Sequence, residues 1–158
     1  FRQEGVGRPR KYYEITTLGR EALPRRYDLL VQLLLDAMTA EDPAAAERIV
    51  ARLAARVAED LRRRVPPGAD VKERARALVQ GLRALGFPTD LETREGRLVI
   101  RRRDCVFLQA ARASPDLICR GFDTRLLELV LGEDVELKAC LPDGSACCLH
   151  ELRLGRNN

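Results

Sequence analysis

Residues 88–104 read PTDLETREGRLVIRRRD. Leu91 and Thr93 alternate with charged neighbours, Glu95-Gly96 is a tight-turn pair, and Leu98, Val99 and Ile100 follow as an apolar run. The pattern predicts a β-hairpin. A second hairpin is expected near the carboxyl end. There Val135, Leu137 and Ala139 alternate, Pro142-Asp143-Gly144 marks a turn, and 148–154 supplies the return strand. Between the hairpins, 105–113 reads as a short helix, Ser114-Pro115-Asp116 as a turn, and 117–131 as a helix disturbed at Gly121 and ended by Gly132. Before the first hairpin, Ala75, Leu78, Val79, Leu82 and Leu85 give 71–85 a helical face, with Gly86 as its carboxyl cap. Helix, hairpin, helices, hairpin is an α+β pattern, in which a small antiparallel sheet packs with helices.

Two longer helices are expected upstream. In the first, Leu23, Tyr27, Leu30, Leu34 and Ala37 or Met38 recur every three or four residues, and Leu29, Val31, Leu33 and Leu35 widen the stripe. So apolar a helix needs cover on more than one side, which a two-fold partner would provide. Thr16 or Thr17 is placed to cap its start, and Pro24 to kink it. The stretch 39–43, TAEDP, reads as a break, with Thr39 as cap, Asp42 at the positive helix end and Pro43 in the first turn. In the next helix, running to about Val65, Ile49, Leu53, Val57, Leu61 and Val65 repeat at intervals of four, with Ala46, Ala54 and Ala58 beside them as small residues that permit close helix contact. Pro66-Pro67-Gly68 stops it.

The 158 residues suffice for one domain, or for a small domain with a dimerising element. Lys and Arg number 28 against 24 acids, a net charge of +4. With no Trp and few aromatics, a base-stacking platform is not expected. No apolar run is long enough to span a membrane. The basic residues cluster. Arg8, Arg10 and Lys11 sit in a Gly- and Pro-punctuated turn before a possible strand at 11–15, which is what a DNA-binding wing needs. Gly7-Arg8-Pro9 matches the core of minor-groove hook peptides.

All five cysteines lie in the last third: Cys105, Cys119, Cys140, Cys147 and Cys148. The odd number and the cysteine-free first hundred residues favour metal binding over a disulfide framework, with two disulfides and a spare thiol as the alternative. Cys105, Cys119, Cys140 and Cys148 each fall near a turn or strand end, and meet if the two hairpins share one sheet. Four thiolates suit zinc or an iron–sulfur cluster, and the spacing does not choose between them. Cys147 faces away from Cys148 in a strand. His150 lies on the Cys148 side, where it can replace a thiolate or support one. Arg101, Arg102 and Arg103 can offset thiolate charge. No oxyanion hole, phosphate-cradling loop or His-Glu-x-x-His motif is present, so an enzyme is not expected.

Two stretches carry a resemblance. GRPRKYYEITTLGREALPRRYDLLVQLLLDA resembles the wing and following helix of SufR-type winged-helix transcriptional regulators, within the ArsR/DeoR-like group, through Gly7, Arg8, Pro9, Tyr13, Thr16, Gly19 and Tyr27. The stretch from Asp104-Cys105 through Pro115, Cys119, Leu127, Gly132, Cys140, Gly144 and Cys148 resembles that family's sensor region. It is also similar to the vinyl-reductase-type small-molecule-binding domain. The resemblance implies a cytoplasmic homodimer that binds operator DNA, with an iron–sulfur cluster whose occupancy controls repression. It implies Cys105, Cys119 and Cys148 as ligands, with Cys140 the fourth candidate and His150 a further one. The chain departs from the family at Val106, where relatives often have Pro, and at Cys147 and His150. It implies three regions: a partial wing at 1–17, a helical dimerisation region at 18–67 and a cysteine-rich sensor at 68–158. No recognition helix precedes the wing, so a truncated chain is expected that dimerises and binds its cofactor but holds DNA weakly.

Overall fold

The computed structural model describes residues 12–21 and 27–153. The order is α1 (Thr17–Glu21), α2 (Tyr27–Glu41), α3 (Pro43–Arg62), α4 (Val71–Ala84), β1 (Thr89–Arg94), β2 (Arg97–Arg102), α5 (Leu108–Ala113), a π-helical segment (Asp116–Thr124), α6 (Arg125–Leu131), β3 (Glu136–Ala139), a 3₁₀ turn (Leu141–Asp143) and β4 (Cys148–Arg153). The four strands form one antiparallel sheet in the order β1-β2-β4-β3. The α+β expectation holds, and both hairpins enter the same sheet.

One face of the sheet carries charged pairs around a buried Val99, and the other packs into the core. On the outer face Arg101 pairs with Glu92 at 3.0 Å and Arg97 with Glu151 at 2.9 Å. On the inner face β2 and β4 pair Leu98 with Leu152, Ile100 with His150, and Arg102 with Cys148. Polarity therefore rises along the inner face, from an aliphatic pair to a guanidinium beside a thiol. The two-residue turn between β1 and β2 puts Glu95 and Gly96 at φ 49° and 72°, the left-handed pair that matches strand twist.

Two apolar clusters hold the fold together. The larger joins Ala54, Ala58 and Leu61 of α3, Leu78 and Leu82 of α4, Leu126, Leu127 and Leu131 of α6, and Leu98, Ile100 and Leu152 of the sheet. The smaller joins Leu35 of α2, Val50 of α3, Ala110 and Ala111 of α5, Ile118 and Cys119 of the π segment, and Cys140 and Cys148. Phe107 and Phe122 pack against both. They stack edge-to-face at 5.7 Å, and Phe87 extends the row at 5.6 Å.

Several local expectations need correction. Thr39 does not cap; α2 runs through it to Glu41. Asp42 is the cap, its Oδ1 accepting from the Ala45 amide at 3.0 Å, and Pro43 opens α3. An Asp immediately before Pro out-competes a Thr three residues upstream, because Pro suits the first turn and cannot continue the preceding helix. The buried stripe of α3 is Ala46, Val50, Ala54, Ala58 and Leu61, whereas Ile49 and Leu53 are exposed. Small residues let α3 approach its neighbours closely, so the larger side chains are turned outward. Leu85 is also exposed. Residues 12–16 form no strand, and Tyr12, Tyr13 and Ile15 are exposed; among the described residues they have no strand to pair with. Thr16 does accept from the Gly19 amide at 3.1 Å, the expected cap. Pro24, Leu154 and the proposed DNA contacts Arg8, Arg10 and Lys11 lie outside the described residues.

Candidate metal centre

Four of the five cysteines are delivered to one end of the sheet by four different segments. Cys105 follows β2. Cys119 lies within the π segment, Cys140 directly after β3, and Cys148 opens β4. Cys119, Cys140 and Cys148 are buried in the smaller cluster and Cys105 packs against it. The Cys119 and Cys140 sulfurs are 3.1 Å apart and share a hydrogen bond. The Cys148 sulfur accepts from the Leu141 amide at 3.3 Å. Cys147 is half-buried and does not belong to the cluster. All five are free thiols, so the two-disulfide alternative is not the arrangement found.

The π segment determines where Cys119 sits. The sequence suggested a disturbed α-helix at Gly121, and the wider π turn is that disturbance. Gly121 lies against α3: a Cβ there would stand 3.5 Å from Val50 Cγ1 and 3.4 Å from the Asp116 carbonyl. The wide turn also brings Thr124 over the carbonyl five residues back, and its hydroxyl donates to the Cys119 oxygen at 2.8 Å.

A buried ion pair lies beside the thiols. Arg102 Nη1 donates to Asp123 Oδ1 at 3.0 Å. Its Nη2 lies 2.7 Å from Oδ2 but off the line of a hydrogen bond, so that second contact is ionic rather than hydrogen-bonded. Of the three adjacent arginines only Arg102 turns inward. Arg101 joins the outer-face pair with Glu92, and Arg103 lies 3.9 Å from Asp90. Pleat alternation sends Arg102 inward and its neighbours outward. Asp123 was not among the sequence-based candidates. The available signal was an acid within an otherwise apolar helix face, which becomes meaningful only once a buried arginine is known.

The electrostatics follow from burial. Desolvation raises the Cys105 thiol above its ordinary value. Desolvation and then the bond to Cys140 raise Cys119 strongly. Desolvation pushes Cys148 up to about 11, although the Leu141 amide and Arg102 favour its thiolate. Burial, reinforced by Arg102, lowers His150 to about 3, so its imidazole is neutral. Burial opposes the charge of Arg102, but Asp123 outweighs that, helped by Cys148 and Cys105, and the guanidinium is held ionised. A cation thus stands beside thiols that burial keeps protonated. A metal bound to them would have to displace their protons, and the fixed charge of Arg102 would favour that release.

By residue type alone, thiols, an imidazole and a nearby cation are those a thiophilic centre would use. Among the described residues, five buried side-chain nitrogens have no hydrogen-bond partner: Arg74 Nε, Arg101 Nε, Arg102 Nε and Nη2, and His150 Nδ1. Among the described residues, no three His, Cys, Asp or Glu side chains stand close enough to grip a single ion as they are placed. Among the described residues, no helix is long and apolar enough to cross a membrane. No protein-family model matches this chain. No curated protein is significantly similar to it.

Proposed function

We propose that this chain is the sensor and dimerisation part of a DNA-binding transcriptional regulator, of the SufR-like kind its sequence resembles, that responds to an iron–sulfur cluster or metal held by Cys105, Cys119, Cys140 and Cys148, with His150 as a further candidate ligand. The reading is cytoplasmic and non-enzymatic. The observation that supports it is the gathering of Cys119, Cys140 and Cys148 in one buried cluster, with Cys105 packed against it, near a buried arginine. Thiols that served only as small apolar side chains would have no use for a desolvated guanidinium. A bound cluster would supply negative charge there and accept hydrogen bonds from Arg102.

The proposed readout runs through α2. Leu35, the one fully buried residue of that helix, belongs to the same cluster as Cys119, Cys140 and Cys148. The helix α4 belongs to the other cluster and is not on this route. The shorter path is thiols to Leu35 and Val50, then along α2 towards the amino-terminal wing. Occupancy biases the position of α2, and a homodimer formed through its exposed leucines converts that bias into a change in wing separation.

A second reading, from a different class, is a zinc-stabilised module that senses a small molecule. An open groove of about 930 Å³, lined in part by Pro43, Ala51, Leu117, Gly121, Thr124 and Leu137, favours it. That volume is in the range of small-ligand sites, roughly 300–1,000 Å³.

Anaerobic purification with iron, sulfide and zinc analysis separates the readings. A brown protein containing acid-labile sulfide supports the cluster. A colourless protein carrying stoichiometric zinc supports the second reading, and one that takes up neither metal under reconstitution refutes both.

A further inference from the structure

Leu35 is the one fully buried residue of α2. The side of the helix opposite Leu35 is apolar too: Leu29, Leu33 and Ala37 lie there, with Leu30 and Leu34 beside them, and all five are exposed. A helix apolar on both sides needs cover on both. On α3, Ile49 and Leu53 form a second exposed apolar stripe, one helical turn apart. The charges flanking the two stripes differ in sign. The helix α2 carries Asp28, Asp36 and Glu41 and no base. Beside the α3 stripe, Arg48, Arg52 and Arg56 follow one another turn by turn. Arg48 is held by Asp42 at 3.4 Å and Arg56 by Glu59 at 3.2 Å. Asp36, Glu41 and Arg52 are exposed, and among the described residues none of the three has an ion-pair partner.

We infer that two copies of this chain meet crosswise about a two-fold axis, the exposed leucines of α2 in each copy lying on Ile49 and Leu53 of α3 in the other, with Asp36 paired to Arg52 across the contact. This rests on the homodimer reading above and specifies its interface. A two-fold axis offers three ways to join these helices: α2 on α2, α3 on α3, or α2 on α3 twice over. The first opposes acids to acids, and the second arginines to arginines. Like charges facing each other disfavour an interface, and flanking charges of opposite sign set the partner and orientation of packed helices. The crosswise pairing covers both apolar stripes and brings opposite charges together. By symmetry the Asp36–Arg52 contact then forms twice.

Charge reversal tests the pairing by sedimentation of the full chain. Asp36→Arg and Arg52→Asp are each expected to raise the dimer dissociation constant by about tenfold, because each puts two like-charged contacts into the dimer. An equimolar mixture of the two variants is expected to recover the parent's association, since the mixed dimer holds the parent pair on one side and the reversed pair on the other. An ion pair within one chain cannot be rescued by mixing, so variants that stay weak when mixed overturn the crosswise contact. Leu53→Glu is expected to abolish the dimer. All three positions are exposed, so an unchanged melting temperature shows that each variant still folds. A dimer indifferent to Leu53→Glu and to both charge reversals overturns the crosswise interface and leaves the homodimer reading intact. A monomeric parent at micromolar concentration refutes both. If the α2 amides of that monomer also resist hydrogen exchange, another segment of the same chain covers the leucines.

Discussion

Arg102 and Asp123 form an ion pair inside the protein, at 2.7 Å, with side chains 4 % and 2 % exposed. Breaking such a pair on one side leaves a buried uncompensated charge, which costs about 3–5 kcal/mol. Asp123→Ala is expected to destabilise the metal-free chain by that amount in urea titration. Joint replacement, Arg102→Met with Asp123→Leu, should cost distinctly less, because no charge is stranded. It should nevertheless impair loading of the centre. An Asp123→Ala protein as stable as the parent would mean the pair is not buried in solution.

The two adjacent cysteines should behave differently. Cys148 is buried among the other thiols and Cys147 is not. Cys148→Ser is expected to lower metal occupancy after anaerobic reconstitution, whereas Cys147→Ser leaves it unchanged. Equal losses from both would contradict the placement of Cys148 alone in the centre.

Acid should unfold the metal-free protein partly through His150. Its folded pKa, about 3, lies below the ordinary value of 6.5. Between those values the unfolded chain binds a proton that the folded chain does not. Stability is therefore complete above about pH 6.5 and declines as pH falls towards about 3. The urea midpoint of the parent should drop across that window more steeply than that of His150→Leu. Parallel curves for the two proteins would show that His150 does not titrate as its burial requires.

The exposed apolar surface of α2 and α3 bears on assembly. Leu29, Leu30, Leu33 and Leu34 of α2 and Ile49 and Leu53 of α3 are all exposed in the single chain. Contiguous apolar surface of this kind marks an interaction site. Sedimentation is expected to show a dimer for the parent and a monomer for Leu30→Glu with Leu34→Glu. A monomeric parent at micromolar concentration would remove the dimer from the proposed mechanism.

Close packing between α3 and α4 gives a further check on the fold itself. A Cβ at Gly81 would stand 2.4 Å from Leu61 Cδ2, and Leu61 is fully buried. Gly81→Ala is expected to destabilise by about 1–3 kcal/mol through overpacking, despite the better helix propensity of alanine. Thermal denaturation reads this directly, and a stabilised variant would contradict the packing.

Local chemistry made much of the fold legible. Asp70 and Glu73 close a reciprocal capping box at the start of α4, and the Glu95-Gly96 turn dictates the first hairpin. Period-two alternation correctly placed Cys148 and His150 on one face. Large side chains misled where small ones did not: Ile49 and Leu53 looked like core and are exposed, while Ala46, Ala54 and Ala58, expected to permit close helix contact, are buried. The face a helix buries depends on how closely its neighbours approach, and hydrophobicity along one helix does not encode that distance.

For the candidate site the division is similar. The sequence by itself determined which residues could take part: four thiols near turn or strand ends, an imidazole in phase with one of them, and a run of arginines nearby. Only the tertiary structure decided that Arg102 alone of the three turns inward, that Asp123 meets it, that Cys119 lies against Cys140, and that Thr124 meets His150. The physical reason is that each of these contacts joins segments 21 or more residues apart, or depends on the wide turn that carries both Thr124 and Cys119. Pairing at that range is set by the packing of strands and helices against one another, and is not encoded in spacing along the chain.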